Sequence, residues 1–260
     1  MNQFKEKLKK IDELKAEIDK LGPLDPAQVK NIDEWYTVEL TYTSNALEGN
    51  TLTRLETAQV IEKNISVEGK TINELIEARN HASALEYIRM LVRNKPKGQP
   101  VTLSDILDIH ARLLAKIDDA NAGKLRTVPV RIAGSTSIMP NPVKVPELMK
   151  DFIVWVNENH THPAEKAIEA HYRLVTIHPF TDGNGRTARL LMNMILIREG
   201  YRPLVIPKES RHDYIASLEN RQTKGEENDY IEFMLDKLID SMEEYIKTTK
   251  GDFDFTPWFG

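Results

Sequence analysis

The residue types with the strongest potential for chemistry concentrate in one segment, residues 178–189, which has the sequence HPFTDGNGRTAR. Its glycine-rich stretch 183–185 lets the backbone turn tightly and aim N–H groups at one point, where the next helix begins with its positive dipole end. Arg186 and Arg189 lie three residues apart on the first turn of that helix, so both guanidinium groups can reach the same polyphosphate. The segment therefore predicts a phosphate-binding loop.

A base and a metal ligand accompany this loop. Asp182 is the only acid in the loop, and its carboxylate is well placed to hold Mg²⁺. His178 precedes Pro179, which disfavours the α conformation, so we expect the preceding helix to end there with the imidazole at the lip of the loop. A neutral imidazole can take a proton from a hydroxyl group near neutral pH. This set of groups suits phosphoryl or nucleotidyl transfer.

Helices on both sides must hold these residues in place. Apolar residues recur at spacings of three and four along most of the chain, which is typical of amphipathic helices. The predicted helices cover residues 3–21, 33–47, 53–63, 71–93, 102–115, 146–158, 164–177, 186–199, 209–221 and 228–247. Residues 127–132 are β-branched and precede a Gly-Ser-Thr-Ser turn, which predicts one hairpin. The predicted fold class is therefore all-α with a short β-hairpin.

The composition is typical of a soluble protein that folds alone, because 40% of the 260 residues are hydrophobic and 29% are charged. The net charge is −5 and the basic residues are scattered, so nucleic acid is not an expected partner. The chain has no cysteine, which excludes disulfides and thiolate catalysis. No apolar run has the length of a membrane span or a signal core, and we expect a cytoplasmic protein.

The HPFTDGNGRTAR segment matches the signature of the Fic family, HPF-x-[D/E]-GN-[G/K]-R with a following arginine, at every defining position. The chain resembles the Fic (Fido) protein adenylyltransferases from about Thr102 to Asp240. The resemblance implies that His178 deprotonates a Ser, Thr or Tyr hydroxyl of a target protein. It also implies that Asp182 binds a Mg²⁺ ion that bridges the α and β phosphates of ATP.

The same resemblance assigns the whole segment 182–189 to nucleotide binding. Asn184 would help to hold the α-phosphate, Arg186 the β-phosphate and Arg189 the γ-phosphate, and the other members are Gly183, Gly185, Thr187 and Ala188. A lysine at position 185 marks the branch that resembles Doc and transfers phosphate, so Gly185 favours transfer of AMP. The remaining implied contacts are a flap for the target at Ile132, Ala133, Gly134 and Ser135, and an adenine pocket at Tyr214, Ile215, Leu218 and Gln222.

A second motif lies far upstream, where Ser44-x-x-x-Glu48-Gly49-Asn50 resembles the inhibitory-helix motif [S/T]-x-x-x-E-[G/N]-N of one class of Fic proteins. The resemblance implies that Glu48 pairs with Arg189 and occupies the place of the γ-phosphate. An acid before a Gly-Asn helix end can also be a solvated residue without function. A guanidinium pair shielded from water is far stronger than an exposed one, so burial decides whether this lock holds.

These features together predict a protein adenylyltransferase that uses ATP and Mg²⁺ and is autoinhibited by Glu48. Two alternatives stay open, a hydrolase that removes AMP with the same site and a nucleotide-sensing module without catalysis. The expected partners are ATP and a target protein, with the chain itself as one candidate target, and a homodimer is also compatible with the resemblance. No membrane is expected. We predict a helical region at 1–100 with the inhibitory helix at 33–50, a catalytic domain at 101–245 and a tail at 246–260.

Overall fold

The computed structural model describes residues 4–22, 24–63, 65–94, 98–132, 135–158 and 160–250, which form ten α-helices and no strand. The helices are α1 Lys5–Lys20, α2 Pro26–Leu47, α3 Arg54–Glu62, α4 Ile72–Asn94, α5 Leu103–Leu114, α6 Val145–Glu158, α7 Pro163–Ile177, α8 Asn184–Arg198, α9 Arg211–Lys224 and α10 Glu227–Lys250. The predicted all-α class is confirmed. The predicted tail begins inside α10, and its residues 251–260 lie outside the described part of the chain.

Three helices begin with a capping box. In each, the side chain of the cap residue accepts from the backbone N–H three residues later, and the side chain of that later residue accepts from the N–H of the cap residue. Thr53 caps α3 and Thr102 caps α5, at the residues where the sequence predicts these two helices to begin. The prediction for α2 is wrong at its start, because α2 begins at Pro26, with Asp25 as its cap, and not near residue 33. Its first turns are polar and exposed, so they carry no apolar stripe that marks them as helical.

Helix α8 lies at the centre of the molecule and is buried on all sides over most of its length. Leu191, Met192 and Leu196 are fully buried, and α8 packs against α2, α4, α5 and α7. A helix without a solvent-exposed face is stable only where neighbours cover every face and its buried polar side chains find partners. One hydrophobic core includes residues from Ile11 to Ile246, so both predicted regions of the chain contribute to it. The loop that precedes α8 is thereby fixed on a rigid base.

The N-terminal helix packs on the body of the protein. Ile11, Leu14 and Ile18 form the buried stripe of α1, and α1 lies against α10. The sequence predicts this apolar stripe, and its burial follows the spacing of three and four. No helix among the described residues is both long enough and apolar enough to cross a membrane.

The predicted β-hairpin does not form in the described residues on either side of its turn. Residues 127–132 and 135–141 contain no strand, although the N–H of Ser135 donates to the carbonyl of Ile132 at 3.2 Å. Pro129 and Pro140 cannot donate to a ladder, which explains why β-branched residues are not enough here. Arg126 instead holds the two arms together, through the carbonyl groups of Val128 at 3.1 Å and Pro140 at 2.7 Å.

Candidate active site

His178 ends α7 in the left-handed conformation, with φ 50° and ψ 58°. Its backbone N–H donates to the carbonyl of Leu174 at 2.9 Å, which closes the last turn of the helix. A residue other than glycine in this region carries a conformational cost of about 1–3 kcal/mol, which persists where the surrounding structure fixes it. Arg126 supplies that constraint, because its Nε donates to the carbonyl of His178 at 2.7 Å. The imidazole lies at the end of the helix, as the sequence predicts.

The hydrogen bonds of the His178 ring define its tautomer. Nδ1 lies 3.2 Å from the carbonyl of Val175, and because a carbonyl only accepts, Nδ1 carries the proton. In the neutral ring Nε2 is then an acceptor. Burial has the largest influence and lowers the pKa of His178 below its ordinary value of 6.5. The hydrogen bond to Val175 acts to raise this pKa, the charge of Arg126 acts to lower it, and the charges of Glu48 and Asp182 act to raise it. The ring is therefore neutral near pH 7 and can accept a proton at Nε2.

The loop after His178 is shaped by the side chain of Asn184. Its carboxamide accepts from the N–H of Phe180 and donates to the carbonyl of Phe180, both at 2.9 Å. Asn184 is 3% exposed, so this side chain closes the loop and is not free to hold an α-phosphate, contrary to the implied role. Gly183 has φ 73° and caps α8, which turns the backbone at the point where the helix begins. The cradle is thus formed by backbone groups of residues 182–186, hereafter the anion cradle.

Asp182 is held through its backbone and leaves its carboxylate accessible. The ring of His110 donates from Nε2 to the carbonyl of Asp182 at 3.0 Å, since its Nδ1 accepts from the N–H of Gly123 at 2.9 Å. The Asp182 side chain is 65% exposed. No group of three or more metal-binding side chains occurs among the described residues. A single accessible carboxylate fits Mg²⁺, which usually takes one or two carboxylates and completes its shell with phosphate and water.

The anion cradle already contains an acidic group of the protein. A Cβ atom at position 185 would collide with Oε1 of Glu48 and lie 3.1 Å from Nη1 of Arg189. The carboxylate of Glu48 therefore lies directly over Gly185, at the positive end of α8, where an anion is stabilised by the free N–H groups of the first turn. A cradle that holds a carboxylate has the positive character that a phosphate group also requires.

The guanidinium of Arg189 binds the end of α2 at three atoms. Its Nε donates to Oγ of Ser44 at 3.0 Å, and its Nη2 donates to the carbonyl of Ser44 at 2.9 Å and to Oε1 of Glu48 at 2.7 Å. Ser44 and Glu48 are one helical turn apart and therefore face the same side. The predicted pair between Glu48 and Arg189 is confirmed, and it connects residues 141 positions apart.

The two partners of this pair differ in burial. The Arg189 side chain is 7% exposed and the Glu48 side chain 41%, so the carboxylate reaches a buried cation from the open side of the cradle. Burial acts to raise the pKa of Glu48, but the charge and hydrogen bond of Arg189, with the charges of Arg186 and Arg211, outweigh it and lower that pKa. Glu48 is therefore an anion near neutral pH. Its strength as a lock lies between that of a surface pair and that of a fully buried one.

A chain of buried hydrogen bonds fixes Arg189 from the opposite end. Its Nη1 lies 3.5 Å from the hydroxyl of Tyr214, whose proton goes to Nε2 of His171 at 2.8 Å. The Nδ1 of His171 then donates to Tyr230 at 2.7 Å, and Tyr230 donates to the carbonyl of Ile168 at 3.2 Å. Burial lowers the pKa of His171 to about 3, so this chain adds no charge next to Arg189.

The two residues between the arginines point away from the site. Thr187 and Ala188 are both fully buried, and Oγ1 of Thr187 donates to the carbonyl of Gly183 at 2.8 Å. Their implied role in nucleotide binding is not supported by these positions, because the helical period turns them into the core while Arg186 and Arg189 share the face toward Glu77 and Glu48. Arg186 is also buried, and its contacts are described further below.

Of the four residues implied in adenine binding, Ile215 alone is exposed, at 41%. Tyr214 and Leu218 are buried at 2% and 6%, so their side chains belong to the core. The amide of Gln222 accepts from the hydroxyl of Ser137 at 3.0 Å and donates to Thr176 at 3.3 Å, which uses it to anchor the flap. These three side chains lack the freedom that the resemblance implies for them.

The flap itself is tied to α9 by an acid. Ser135 donates from Oγ to Glu219 at 3.3 Å, and the N–H of Thr136 donates to the same carboxylate oxygen at 3.0 Å. Ile132 is half-buried, and Ala133 and Gly134 lie outside the described residues. The flap segment therefore sits beside α9 and, through Arg126, beside His178.

Four residues contact the site without a sequence signal that marks them. Arg126 is 3% exposed and joins the flap to His178, and His110 holds the backbone of Asp182. Glu77 binds Arg186, and Nε of Arg211 donates to the carbonyl of Leu47 at the end of α2 at 2.8 Å. None of them lies in a motif, and each acts across 50 or more residues.

The sequence profile of the Fic/DOC family matches residues 100–196 of this chain. The protein adenylyltransferase Fic of Culex quinquefasciatus is 34% identical over 246 residues, which are 94% of this chain and 48% of that protein. The chain thus spans about half the length of the curated relatives it matches.

Solved structures share the fold over almost the whole chain. A structure of Fic-1 from C. elegans has a TM-score of 0.80 and 32% identity, over 96% of this chain and 72% of that chain. A Fic domain containing signaling protein from Bacteroides thetaiotaomicron has a TM-score of 0.82 and 29% identity, over 93% and 98% of the two chains. With the signature at 178–189 and the helical arrangement around it, the chain belongs to the Fic/DOC family.

Proposed function

We propose that this protein transfers AMP from ATP to a hydroxyl group of a protein. The observation that carries the proposal is the arrangement of a neutral histidine base beside a cradle that already holds a carboxylate and two arginines. The relatives named protein adenylyltransferase support the same activity over most of this chain.

In the proposed reaction Nε2 of His178 takes the proton of the target hydroxyl. The hydroxyl oxygen then attacks the α-phosphorus of ATP, a bond forms between them, and the bond to the β-phosphate breaks to release pyrophosphate. The other ring proton stays on Nδ1, which donates to the carbonyl of Val175 throughout and keeps the ring oriented. A base of this kind contributes about a hundred- to ten-thousandfold to the rate.

The backbone N–H groups of the anion cradle and the arginines Arg186 and Arg189 would bind the phosphates. Their positive charge stabilises the charge that accumulates on the phosphate oxygens and on the leaving pyrophosphate. Asp182 would hold Mg²⁺, which supplies further charge neutralisation when bound. The absence of a side chain at Gly185 leaves the cradle open, which favours the AMP-transfer orientation over the reversed orientation implied for a lysine at this position.

We further propose that Glu48 inhibits this activity. Its carboxylate lies over Gly185 and takes the Nη2 donor of Arg189, so a phosphate group cannot occupy both places while Glu48 remains. ATP must then expel Glu48 or bind in a different orientation. The ion pair between Glu48 and Arg189 helps to hold the end of α2 against the site, together with the bonds of Arg189 to Ser44.

The test is auto-labelling with ATP labelled on the α-phosphate, with Mg²⁺, for wild type, Glu48→Gly, His178→Ala and the double variant. We expect weak label on wild type, strong label on Glu48→Gly and none on the two variants that lack His178. If Glu48→Gly binds ATP yet carries no label, with itself and with added protein substrates, the proposal of AMP transfer is wrong. Release of AMP from a modified protein would then identify the hydrolase alternative.

The pH dependence of the activated Glu48→Gly variant follows from His178. Its pKa lies below 6.5 in the folded protein, and removal of Glu48 takes away one of the influences that raise it. The neutral base is therefore present at all higher pH values, and kcat/KM for ATP should stay flat from about pH 8 down to 6.5 and fall only below that. A profile that has already fallen by half at pH 7 would contradict the assigned environment of the base.

Arg211 should weaken the activity by holding α2 in place. Its bond to the carbonyl of Leu47 caps the helix one residue before Glu48. Because Arg211 is exposed, we expect Arg211→Ala to raise auto-labelling by only about three- to fivefold, the effect of roughly 1 kcal/mol. The same substitution in the Glu48→Gly background should give no further increase. An equal increase in both backgrounds would show that Arg211 acts independently of Glu48.

The homodimer and the cytoplasmic location stay predictions of the sequence.

A further inference from the structure

Glu77, on α4, joins the end of the inhibitory helix to the second arginine of the cradle. Its Oε1 accepts from Nη1 of Arg186 at 3.0 Å, and its Oε2 accepts from Nδ2 of Asn50 at 2.9 Å. The Arg186 side chain is 4% exposed and that of Glu77 is 23% exposed. A buried guanidinium without a partner is strongly unfavourable, so Glu77 is needed to keep Arg186 in its position.

The contacts of Arg186 leave part of its guanidinium available. Nη1 is engaged by Glu77, whereas Nη2 makes only a long contact of 3.4 Å with the exposed carboxylate of Asp182. Nε is buried and has no hydrogen-bond partner among the described residues. Glu77 therefore uses one nitrogen and leaves Nη2, on the side of the exposed Asp182, for a phosphate oxygen. Its contact is compatible with bound nucleotide, unlike the contact of Glu48 with Arg189.

Asn50 is held rigidly relative to Glu48. The N–H of Gly49 donates to the carbonyl of Ala46, and the N–H of Asn50 to that of Asn45, each at 3.1 Å, which is the Schellman arrangement at the end of a helix. Gly49 has φ 101°, a value that favours glycine. The amide of Asn50 also accepts from the N–H of Leu52 at 3.0 Å. One rigid turn thus carries both Glu48, which contacts Arg189, and Asn50, which reaches Arg186 through Glu77.

From these contacts we propose that Glu77 is a positioning residue for nucleotide binding, which orients Arg186 toward the phosphates and is itself oriented by Asn50. This inference rests on the proposed function, because it takes Arg186 as a phosphate contact. It adds a residue outside both sequence motifs to the binding machinery, and it assigns Asn50 a task that continues after Glu48 has left the cradle.

The test measures ATP affinity by calorimetry in the Glu48→Gly background. Binding of ATP is a readout that does not depend on any transfer of AMP. In Glu77→Gln, the amide has one oxygen for the two donors, Nη1 of Arg186 and Nδ2 of Asn50. We expect ATP affinity to fall about tenfold, which is the effect of losing one charge-assisted hydrogen bond. Asn50→Asp faces Glu77 with a second carboxylate and should weaken binding by a similar factor. Auto-labelling at saturating ATP should change less than threefold in either variant.

The double variant Glu77→Gln with Asn50→Asp separates this role from a general structural one. The new amide can donate to Asp at position 50 and keep its oxygen on Arg186. The bond from Asn50 to the carbonyl of Glu74 at 3.1 Å is lost in both variants with Asp, so the comparison isolates the contact with residue 77, and ATP affinity should return to within about threefold of the parent. Glu86→Gln is the matched control, since Glu86 lies on the same helix and pairs with Arg93 at 3.0 Å, and it should leave affinity unchanged. Unchanged affinity in Glu77→Gln, or a double variant as weak as the singles, would overturn the proposal. Absence of labelling in the Glu48→Gly parent itself, with the affinities changing as expected, would instead count against AMP transfer and leave the role of Glu77 intact.

Discussion

Replacement of Glu48 by glycine should raise the initial rate of auto-labelling about thirtyfold over wild type. The pair with Arg189 is half-buried, so its contribution to inhibition should be about 2 kcal/mol. This value lies between about 0–1 kcal/mol for an exposed ion pair and about 3–5 kcal/mol for breaking a buried one. Because about 1.4 kcal/mol corresponds to a tenfold change in rate, about 2 kcal/mol corresponds to about thirtyfold. The rate is measured with α-labelled ATP at a fixed concentration below saturation. ATP affinity should rise with it, because the carboxylate leaves the cradle.

Two matched variants separate charge from the presence of a side chain. Glu48→Gln keeps the size of the side chain but removes its charge, so it should release only part of the inhibition. Glu62→Gly removes an exposed acid at the end of α3, outside the anion cradle, and should leave the rate at the wild-type level. If Glu48→Gly binds ATP no better than wild type and labels no faster, the carboxylate over Gly185 is not an inhibitor.

Replacement of His178 by alanine in the Glu48→Gly background should lower the rate of labelling by about a hundred- to ten-thousandfold. The reason is the loss of the acceptor at Nε2, since the opposite nitrogen is fixed on the carbonyl of Val175. ATP affinity measured by calorimetry should change less than threefold, because the imidazole is not part of the anion cradle. The effect thus falls on the chemical step and not on nucleotide binding.

A histidine outside the site provides the control for this prediction. His160 is exposed and lies before α7, and His160→Ala should label at the rate of the parent. Equal labelling rates for His178→Ala and its parent would show that His178 is not the base of the reaction. A matching loss of ATP affinity would assign it to binding instead.

The sequence predicts the local parts of this site because those parts depend on nearby residues. The turn at Gly183, the helix that starts after it and the end of α7 at His178 all follow from glycine and proline chemistry within a few positions. The pair between Glu48 and Arg189 spans 141 residues, and only the resemblance to a family motif identifies it. Ser44 joins it because it lies one turn before Glu48.

The other features of the site depend on which residues, distant in sequence, form hydrogen bonds with each polar side chain. Asn184 and Gln222 have amides that could bind a ligand, yet the fold occupies them with Phe180, Ser137 and Thr176. An amide donates and accepts equally well in either role, so residue type alone cannot decide between them.

Glu77 and Arg126 show the converse case. Each is an ordinary charged residue in the sequence, and each becomes a structural link only when the core brings α4 or the flap to the cradle. The predicted hairpin fails for a related reason, since the arms are held by the side chain of Arg126 and not by a backbone ladder. Such links follow from the packing of distant helices and have no local pattern.

The measurement that tests the central claim most directly compares two labels on the same protein. The Glu48→Gly variant is incubated with Mg²⁺ and with ATP labelled either on the α-phosphate or on the γ-phosphate, and the retained label is quantified after denaturation. AMP transfer predicts that the α-label stays on the protein and that the γ-label leaves with pyrophosphate. Retention of the γ-label without the α-label would show phosphate transfer and contradict the account.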